Sequence, residues 1–401
     1  MLLKETIRQV IEQQRELLVK SEKGIKRNYK IPVNHAFATI VSGIRRSGKS
    51  TLIGQLTETV DIWYYLNFED PRLIDFDIKD FVKVEEIMFA LYGEGGVFFF
   101  DEIQIINEWE RFIRYLVDKK VRVVITGSNA TMLSTELGSR LTGRHLKKEI
   151  FPFSYHEFLI LKNNEDDKAS LQDYLFKGGF PEYLKQDNPG ILNQLFFDII
   201  VKDIVVRYGL RNVDLIKKLA VFLLTNIGKE FSFNALKKLL RVKSVQTVID
   251  YVSYLENAYM VFTLPRFSYS LKQQQVNPRK VYCIDNGFSR VNSVSFSKDT
   301  GRLLENLVFV ELRKRSLQLF YFRKDWECDF VIKEDEKITQ VIQVCAEIHV
   351  DNLDREISGL IEAMEELNVH AGTIITMHQE DQLNRNGRNI LLIPFQKWVA
   401  H

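Results

Sequence analysis

An α/β protein, a parallel sheet with helices on both faces, is the fold that three features of the sequence predict. The first is TIVSGIRRSGKSTL, residues 39–52, where a short apolar run ends in G-x-x-x-x-G-K-S. That spacing builds a phosphate-binding loop between a strand and a helix. The second is VFFFDE, residues 97–102, in which four apolar residues deliver a carboxylate pair. Such a run describes a parallel strand buried on both faces, with its acids at the C-terminal end. The third is the alternation of strand and helix patterns, which continues through residue 150 and implies helices crossing over a parallel sheet.

The elements follow in order. Residues 1–23 carry Leu3, Ile7, Val10, Ile11, Leu17 and Leu18 at helical spacing among charges, which predicts a helix packed on the sheet. In the loop, Gly43 and Gly48 permit a tight turn that aims backbone N–H groups inward. The helix after it adds its positive end. Gly43, Ser47, Gly48, Lys49, Ser50 and Thr51 are therefore the candidate nucleotide-binding residues. Lys49 is suited to the β- and γ-phosphates and Ser50 to Mg²⁺. Residues 62–68, IWYYLNF, read as a second strand and 79–92 as a helix. At the end of the phenylalanine strand, Asp101 is the candidate Mg²⁺ ligand and Glu102 the base that activates water. A helix over 108–119 precedes the strand of residues 121–126, which Gly127, Ser128 and Asn129 follow. Asn129 is the candidate γ-phosphate sensor, although Asn after Gly-Ser is also an ordinary turn residue. Arg140 and Arg144 flank a short loop, and either is a candidate arginine finger, from the same chain or a neighbouring one. Arg45 and Arg46 read as solvated.

FPF at residues 151–153 breaks the alternation. The expected domains are 1–152 with the phosphate loop, 153–212 as a helical lid, 213–270 as a winged helix, and 271–401 as a further α/β domain. The winged helix is expected from three helix patterns (213–225, 233–240, 244–257) followed by a strand over 259–265. Lys237, Lys238, Arg241 and Lys243 lie in its second helix and just before its third, where phosphate contacts with DNA would fall. The third helix carries Asp250 and Glu256 and little positive charge, so packing or protein contacts are an equally physical use.

Composition narrows the classes. The 401-residue chain has a net charge of +2, so any basic surface is local. Residues 202–243 hold ten Lys/Arg against three Asp/Glu. Three widely spaced cysteines, Cys283, Cys328 and Cys345, form no zinc pattern and no disulfide framework. No apolar run approaches the roughly 18 residues of a membrane span, and the N-terminus has no signal-peptide core. A cytoplasmic protein that avoids membranes is expected.

The joint order of GIRRSGKSTL, YLNFEDPRL, VFFFDEIQ, ITGSNATML, GRHLKKEIFPFSYHEF, GGFPEYL, YCIDNGF, GRLLENLVFVELRKR and ECDFVI covers the chain nearly end to end. In it the chain resembles the prokaryotic ATPases that join an AAA-type ATPase domain to a C-terminal domain of unknown function, DUF4143. The resemblance implies ATP as the nucleotide, and a terminal domain similar to the PD-(D/E)xK nucleases. In that fold a helix Glu, a strand Asp and a Glu-x-Lys on the next strand gather around Mg²⁺. Here Glu305 matches the helix acid and Asp329 the strand acid. Gln343-Val344-Cys345 stands where Glu-x-Lys belongs. Gln is a weak ligand for a hard cation, and Cys cannot replace an ammonium. The expectation is an Mg²⁺-dependent ATPase with DNA as partner and a nuclease-like domain that binds rather than cuts. A homo-oligomer is compatible with the finger. Two alternatives stand beside it: an ATP-regulated switch for a protein partner, and an ATP-gated nuclease.

Overall fold

The computed structural model describes residues 1–130, 143–294 and 299–400. They form two compact units, Met1–Phe151 and Pro152–His401. Among the described residues no helix is long and apolar enough to cross a membrane.

The first unit is a five-stranded parallel sheet of β1 (Ala38–Ser42), β2 (Trp63–Asn67), β3 (Val97–Asp101), β4 (Arg122–Gly127) and β5 (His145–Glu149). Their order across the sheet is β2-β3-β4-β1-β5. Helices α1 (Lys4–Lys20), α2 (Lys49–Thr57), α3 (Asp80–Tyr92) and α4 (Trp109–Asp118) cover it. The pleat divides β3 between two cores. Phe98 and Phe100 join Phe81, Phe112, Ile113 and the α1 residues Ile7, Val10 and Ile11. Val97 and Phe99 join Leu52 and Ile53 of α2. Burial on both sides is why the strand is an unbroken apolar run rather than an alternating one. The register pairs Asn67 with Asp101 and Ser42 with Gly127, so β1, β2, β3 and β4 end together on one edge.

The second unit begins with helices α5 (Tyr155–Lys162), α6 (Lys168–Lys177), α7 (Pro181–Gln186) and α8 (Gly190–Asp198), the last running on as a π-helix over Ile199–Val206. Next come α9 (Val213–Thr225), β6 (Glu230–Phe231), α10 (Phe233–Leu240), α11 (Val245–Asn257), β7 (Val261–Pro265), α12 (Leu271–Val276) and β8 (Arg279–Cys283). The three strands form an antiparallel sheet in the order β6-β8-β7. β8 thus pairs with the segment before it, although the sequence places residues beyond 270 with the following domain. The reason is the long connection of residues 266–278, which reads as a boundary but is the loop of a hairpin.

After α13 (Asn286–Asn292) and α14 (Thr300–Lys314) the chain builds β9 (Gln318–Arg323), β10 (Glu327–Glu334), β11 (Lys337–Val344), α15 (Val350–Glu366), β12 (Ala371–Thr376), β13 (Asp381–Arg385), β14 (Arg388–Pro394) and α16 (Phe395–Ala400). Their mixed sheet runs β13-β14-β12-β11-β10-β9. β11, β12 and β14 are parallel neighbours and the outer pairs antiparallel.

Asp285 is a turn residue with a second task. It caps α13 by accepting the Phe288 N–H at 2.9 Å, and its other oxygen accepts the Gly179 N–H at 2.6 Å. A Cβ on Gly179 would lie 2.1 Å from the Phe153 carbonyl oxygen, so the Gly178-Gly179 step is a close-packed seam. Burial pushes the Asp285 carboxyl up to about 6, against 3.8 ordinarily. An acid raised on folding favours the native state fully below its ordinary value, and loses that contribution as pH rises through about 6. Urea midpoints of the wild type should therefore carry a decline between pH 4 and 6 that Asp285→Asn lacks. The shift corresponds to about 3 kcal/mol. An unchanged pH profile in the variant would refute the assignment.

Candidate functional site

The phosphate-binding loop leaves β1 at Gly43 and enters α2 at Lys49. Gly48 has φ +92°, a left-handed conformation that glycine adopts without strain. A Cβ on Gly43 would stand 2.1 Å from the Ile150 carbonyl oxygen. The loop can lie against the chain beyond β5 only because that position is bare. Lys49 is buried, and its ammonium donates to the carbonyls of Gly43 and Ile44 at 3.0 and 3.2 Å. Among the described residues, the Ser47 hydroxyl is buried without a hydrogen-bond partner. A polar atom enclosed in this way is what a cradle for an anion would leave.

Opposite the loop, β3 delivers its two acids. Ser50, at the start of α2, is near enough to Asp101 to help hold its carboxyl down. Tyr65 donates to Asp101 Oδ2 at 3.0 Å, and Thr126 donates to Oδ1. Burial and then neighbouring Glu102 push the Asp101 carboxyl up, more than Ser50, Thr126 and Lys49 pull it down. A buried carboxylate held above its range beside a helix-start hydroxyl suits a hard cation, whose charge would reverse that shift. Glu102 takes the left-handed region at φ 54°, which costs a non-glycine residue of the order of 1 kcal/mol. Its backbone N–H meets Thr126 Oγ1 at 3.2 Å. Its Oε2 accepts from Ser128 N at 3.2 Å and from Gln104. Its Oε1 lies 3.5 Å from Lys49 Nζ. Burial raises the Glu102 carboxyl, but Lys49, Gln104, Arg45 and Ser128 bring it below its usual value, so it stays charged. A cleft of 470 Å³ opens beside Ser50 and Thr51, walled in part by Gln14, Tyr65 and Asn67.

Gly43, Ser47, Gly48, Lys49, Ser50, Thr51, Asp101 and Glu102 are thus gathered at one edge of the sheet, and Asn129 is buried just past β4 at the same edge. Arg144 is not brought there. It precedes β5, where His145 pairs with Ala38, while the loop end of the sheet is at Glu149 and Ser42. Five residues of strand, about 16 Å, separate the two ends. Arg144 instead pairs with Asp118 at 2.6 Å, at the end of the sheet away from its own chain's loop. Arg140 lies outside the described residues. Arg45, expected to be solvated, pairs with Glu69 at 2.8 Å.

Sequence reasoning missed the supports. Tyr65, Thr126, Ser128 and Gln104 fix the acids. Arg27 is buried, and its guanidinium donates to the carbonyls of Ser47 and Phe151 at 2.7 Å each. Nothing in the basic run of residues 23–30 singles out Arg27. Tyr65 and Thr126 could have been picked as polar groups at the C-terminal ends of strands next to β3.

In the second unit, Lys237, Lys238, Arg241 and Lys243 sit at the end of α10 and before α11, with Lys238, Arg241 and Lys243 exposed. On α11, Asp250 accepts from Gln246 at 2.8 Å, and Glu256 turns back to the Thr263 N–H at 2.9 Å. Glu305 on α14, Asp329 on β10 and Gln343 on β11 are brought together around a cleft of 480 Å³. They do not fit a divalent cation. The ammonium of Lys280, from β8, stands among the acids with its side chain 1% exposed. It lies 2.9 Å from Glu305, 2.7 Å from Glu327 and 2.8 Å from Asp329. Gln343 is spent on neighbours, donating to Glu356 at 2.8 Å and accepting from Asp329 N at 3.2 Å. Among the described residues no group of three or more acids, His or Cys is placed to hold a metal ion.

Two family models match the chain: an AAA domain over residues 35–159, and a domain of unknown function, DUF8612, over 168–295. The second corrects the expected DUF4143. The match falls on the helices and the small sheet, and it ends before GRLLENLVFVELRKR and ECDFVI. The chain is 34% identical to an uncharacterized protein of Methanocaldococcus jannaschii, MJ1544, over 95% of this chain and 92% of that one. It is 31% identical to an uncharacterized protein of Haemophilus influenzae over 78% and 83%. Among solved structures, domain III of the Thermotoga maritima replication initiation protein DnaA aligns at 12% identity and a TM-score of 0.23, over 61% of this chain and 89% of that one. A likeness that loose carries no argument.

Proposed function

This chain belongs to the family of the Methanocaldococcus jannaschii protein MJ1544 and has an AAA domain in its first half, and from that premise we propose that it is an Mg²⁺-dependent ATPase whose turnover acts on DNA-binding C-terminal domains. One observation carries the enzymatic part: the buried Asp101 and Glu102 carboxyls meet a glycine-turned loop at one edge of the sheet, with Glu102 3.5 Å from Lys49 and Asp101 near Ser50. Lys49 and the loop amides would hold the phosphates, Ser50 and Asp101 the magnesium. That ion would neutralise charge developing on the phosphates. Glu102 would take the proton of the attacking water, with Gln104 and Ser128 N–H steadying its other oxygen. Asn129 would read the γ-phosphate. Any role of Arg144 as a finger would be played on a neighbouring copy. Adenine rather than guanine rests on the family alone.

The order α9, β6, α10, α11, β7, α12, β8 supports the winged-helix reading, and the exposed basic residues support DNA as the ligand. Replacing Lys237, Lys238, Arg241 and Lys243 by Ala should weaken duplex binding about equally on unrelated sequences. It should also flatten the dependence of affinity on salt, by about one unit of slope for each phosphate that is no longer neutralised. Fluorescence anisotropy over a salt series measures both. The lack of positive charge on α11, whose Glu256 is turned in to Thr263, favours a second reading, an ATP-timed switch that binds a protein. ATPase rates with and without duplex DNA decide between them: if DNA neither binds nor alters the rate, the switch reading replaces the first.

A further inference from the structure

The last domain offers a mixed sheet, a helix Glu and a strand Asp in nuclease-like arrangement, yet its acids are already satisfied. A catalytic lysine that assists a bound metal would leave the carboxylate oxygens turned toward the ion. Lys280 does the opposite. Its ammonium takes Glu305 Oε1, Glu327 Oε1 and Asp329 Oδ1 for itself, all within 2.9 Å. The remaining oxygen of Asp329 accepts the Val344 N–H at 2.9 Å, and Tyr282 donates to Glu305 Oε1 at 2.6 Å.

We infer that the Lys280 ammonium is the permanent counter-ion of this cluster, standing where a divalent cation would stand, so that the domain is metal-independent and does not cut nucleic acid. Two further facts fit. Lys280 and Tyr282 alternate along β8 and point to the same cluster, so the strand of the small antiparallel sheet is fastened to α14 and β10 by charge. Burial alone would strip the Lys280 proton, but Asp329 and Glu305 more than compensate and hold it charged. A metal would have to displace an ammonium that is 1% exposed and already held by three carboxylates. The inference rests on the nuclease-like reading of this domain and is independent of ATP turnover, so nucleotide-free full-length protein serves to test it.

The test is Mn²⁺ binding, followed by the loss of the free-ion electron paramagnetic resonance signal. Four proteins are compared: wild type, Asp329→Asn, Lys280→Met and the double variant. Any ion held in the first unit contributes equally to all four. The wild type and Asp329→Asn should bind alike. Lys280→Met should gain one site at least about tenfold tighter, because three carboxylates are then left without a cation, and the double variant should lose it. Manganese held by the wild type but not by Asp329→Asn would overturn the inference, as would a folded Lys280→Met that binds no more than wild type. Should Lys280→Met fail to fold, the first pair still decides, together with a plasmid assay. Supercoiled DNA should stay intact with wild-type protein in Mg²⁺ or Mn²⁺, and nicking that Asp329→Asn abolishes would refute the proposal.

Discussion

Replacing Glu102 by Gln should leave ATP bound and remove its hydrolysis. We expect kcat to fall by about 100- to 10,000-fold, the range a positioned general base supplies, with nucleotide affinity within about threefold of wild type. The amide is isosteric and can still accept from Ser128 N–H through its oxygen. It cannot take a proton from water. Phosphate release gives the rate, and a fluorescent ATP analogue gives the affinity. A variant turning over within threefold of wild type would remove Glu102 from the mechanism.

The contrast with Lys49→Ala makes the result specific. Lys49 lies 3.5 Å from Glu102 and caps the carbonyls of Gly43 and Ile44, so its loss should cost nucleotide binding as well as turnover. Two substitutions on facing residues then separate binding from chemistry. That separation is expected because Glu102 is held by its own surroundings. Thr126 fixes it from β4, Ser128 from just past that strand and Gln104 from the turn after Glu102, and none of these hydrogen bonds requires Lys49.

The candidate site of the first unit was legible because its parts are close in sequence or fixed by strand ends. The loop is a single run of residues, and the β3 acids follow an apolar stretch whose continuity records burial on both faces. β5 was less visible: its Lys147, Lys148 and Glu149 give an edge strand no apolar signature. Arg27 and Lys280 could not be found at all. Each is one base among several near a strand, and what distinguishes it is burial, a property set by elements far away in sequence. Lys280 also precedes the apolar part of its strand, so it reads as a solvated flank. Its alternation with Tyr282 was the available signal, and it gains meaning only once Glu305 and Asp329 are seen facing it. The departure at Gln343 was legible, but not the cation that compensates for it.

Lys280→Met should be the most destabilising conservative change in the second unit. Removing one partner from a buried ion pair typically costs about 3–5 kcal/mol, because the charges left behind stay desolvated. Here Glu305, Glu327 and Asp329 would be left facing one another. Acid should relieve the damage. Burial and then Asp329 raise Glu305 to about 7 from 4.5, so its contribution to stability is complete below its ordinary value and is lost as pH rises through about 7. Without the ammonium the repulsion between the carboxylates grows, and that loss steepens. The penalty of the substitution should therefore be smaller at pH 5, where protons can replace the missing cation, than at pH 8, where they cannot. Urea unfolding at the two values measures it, and Glu305→Gln in the Lys280→Met background should recover part of the deficit at pH 8 by removing one of the three charges. A penalty below about 1 kcal/mol, the size expected of an exposed pair, or one that is the same at both pH values, would mean that Lys280 is not what holds these acids together.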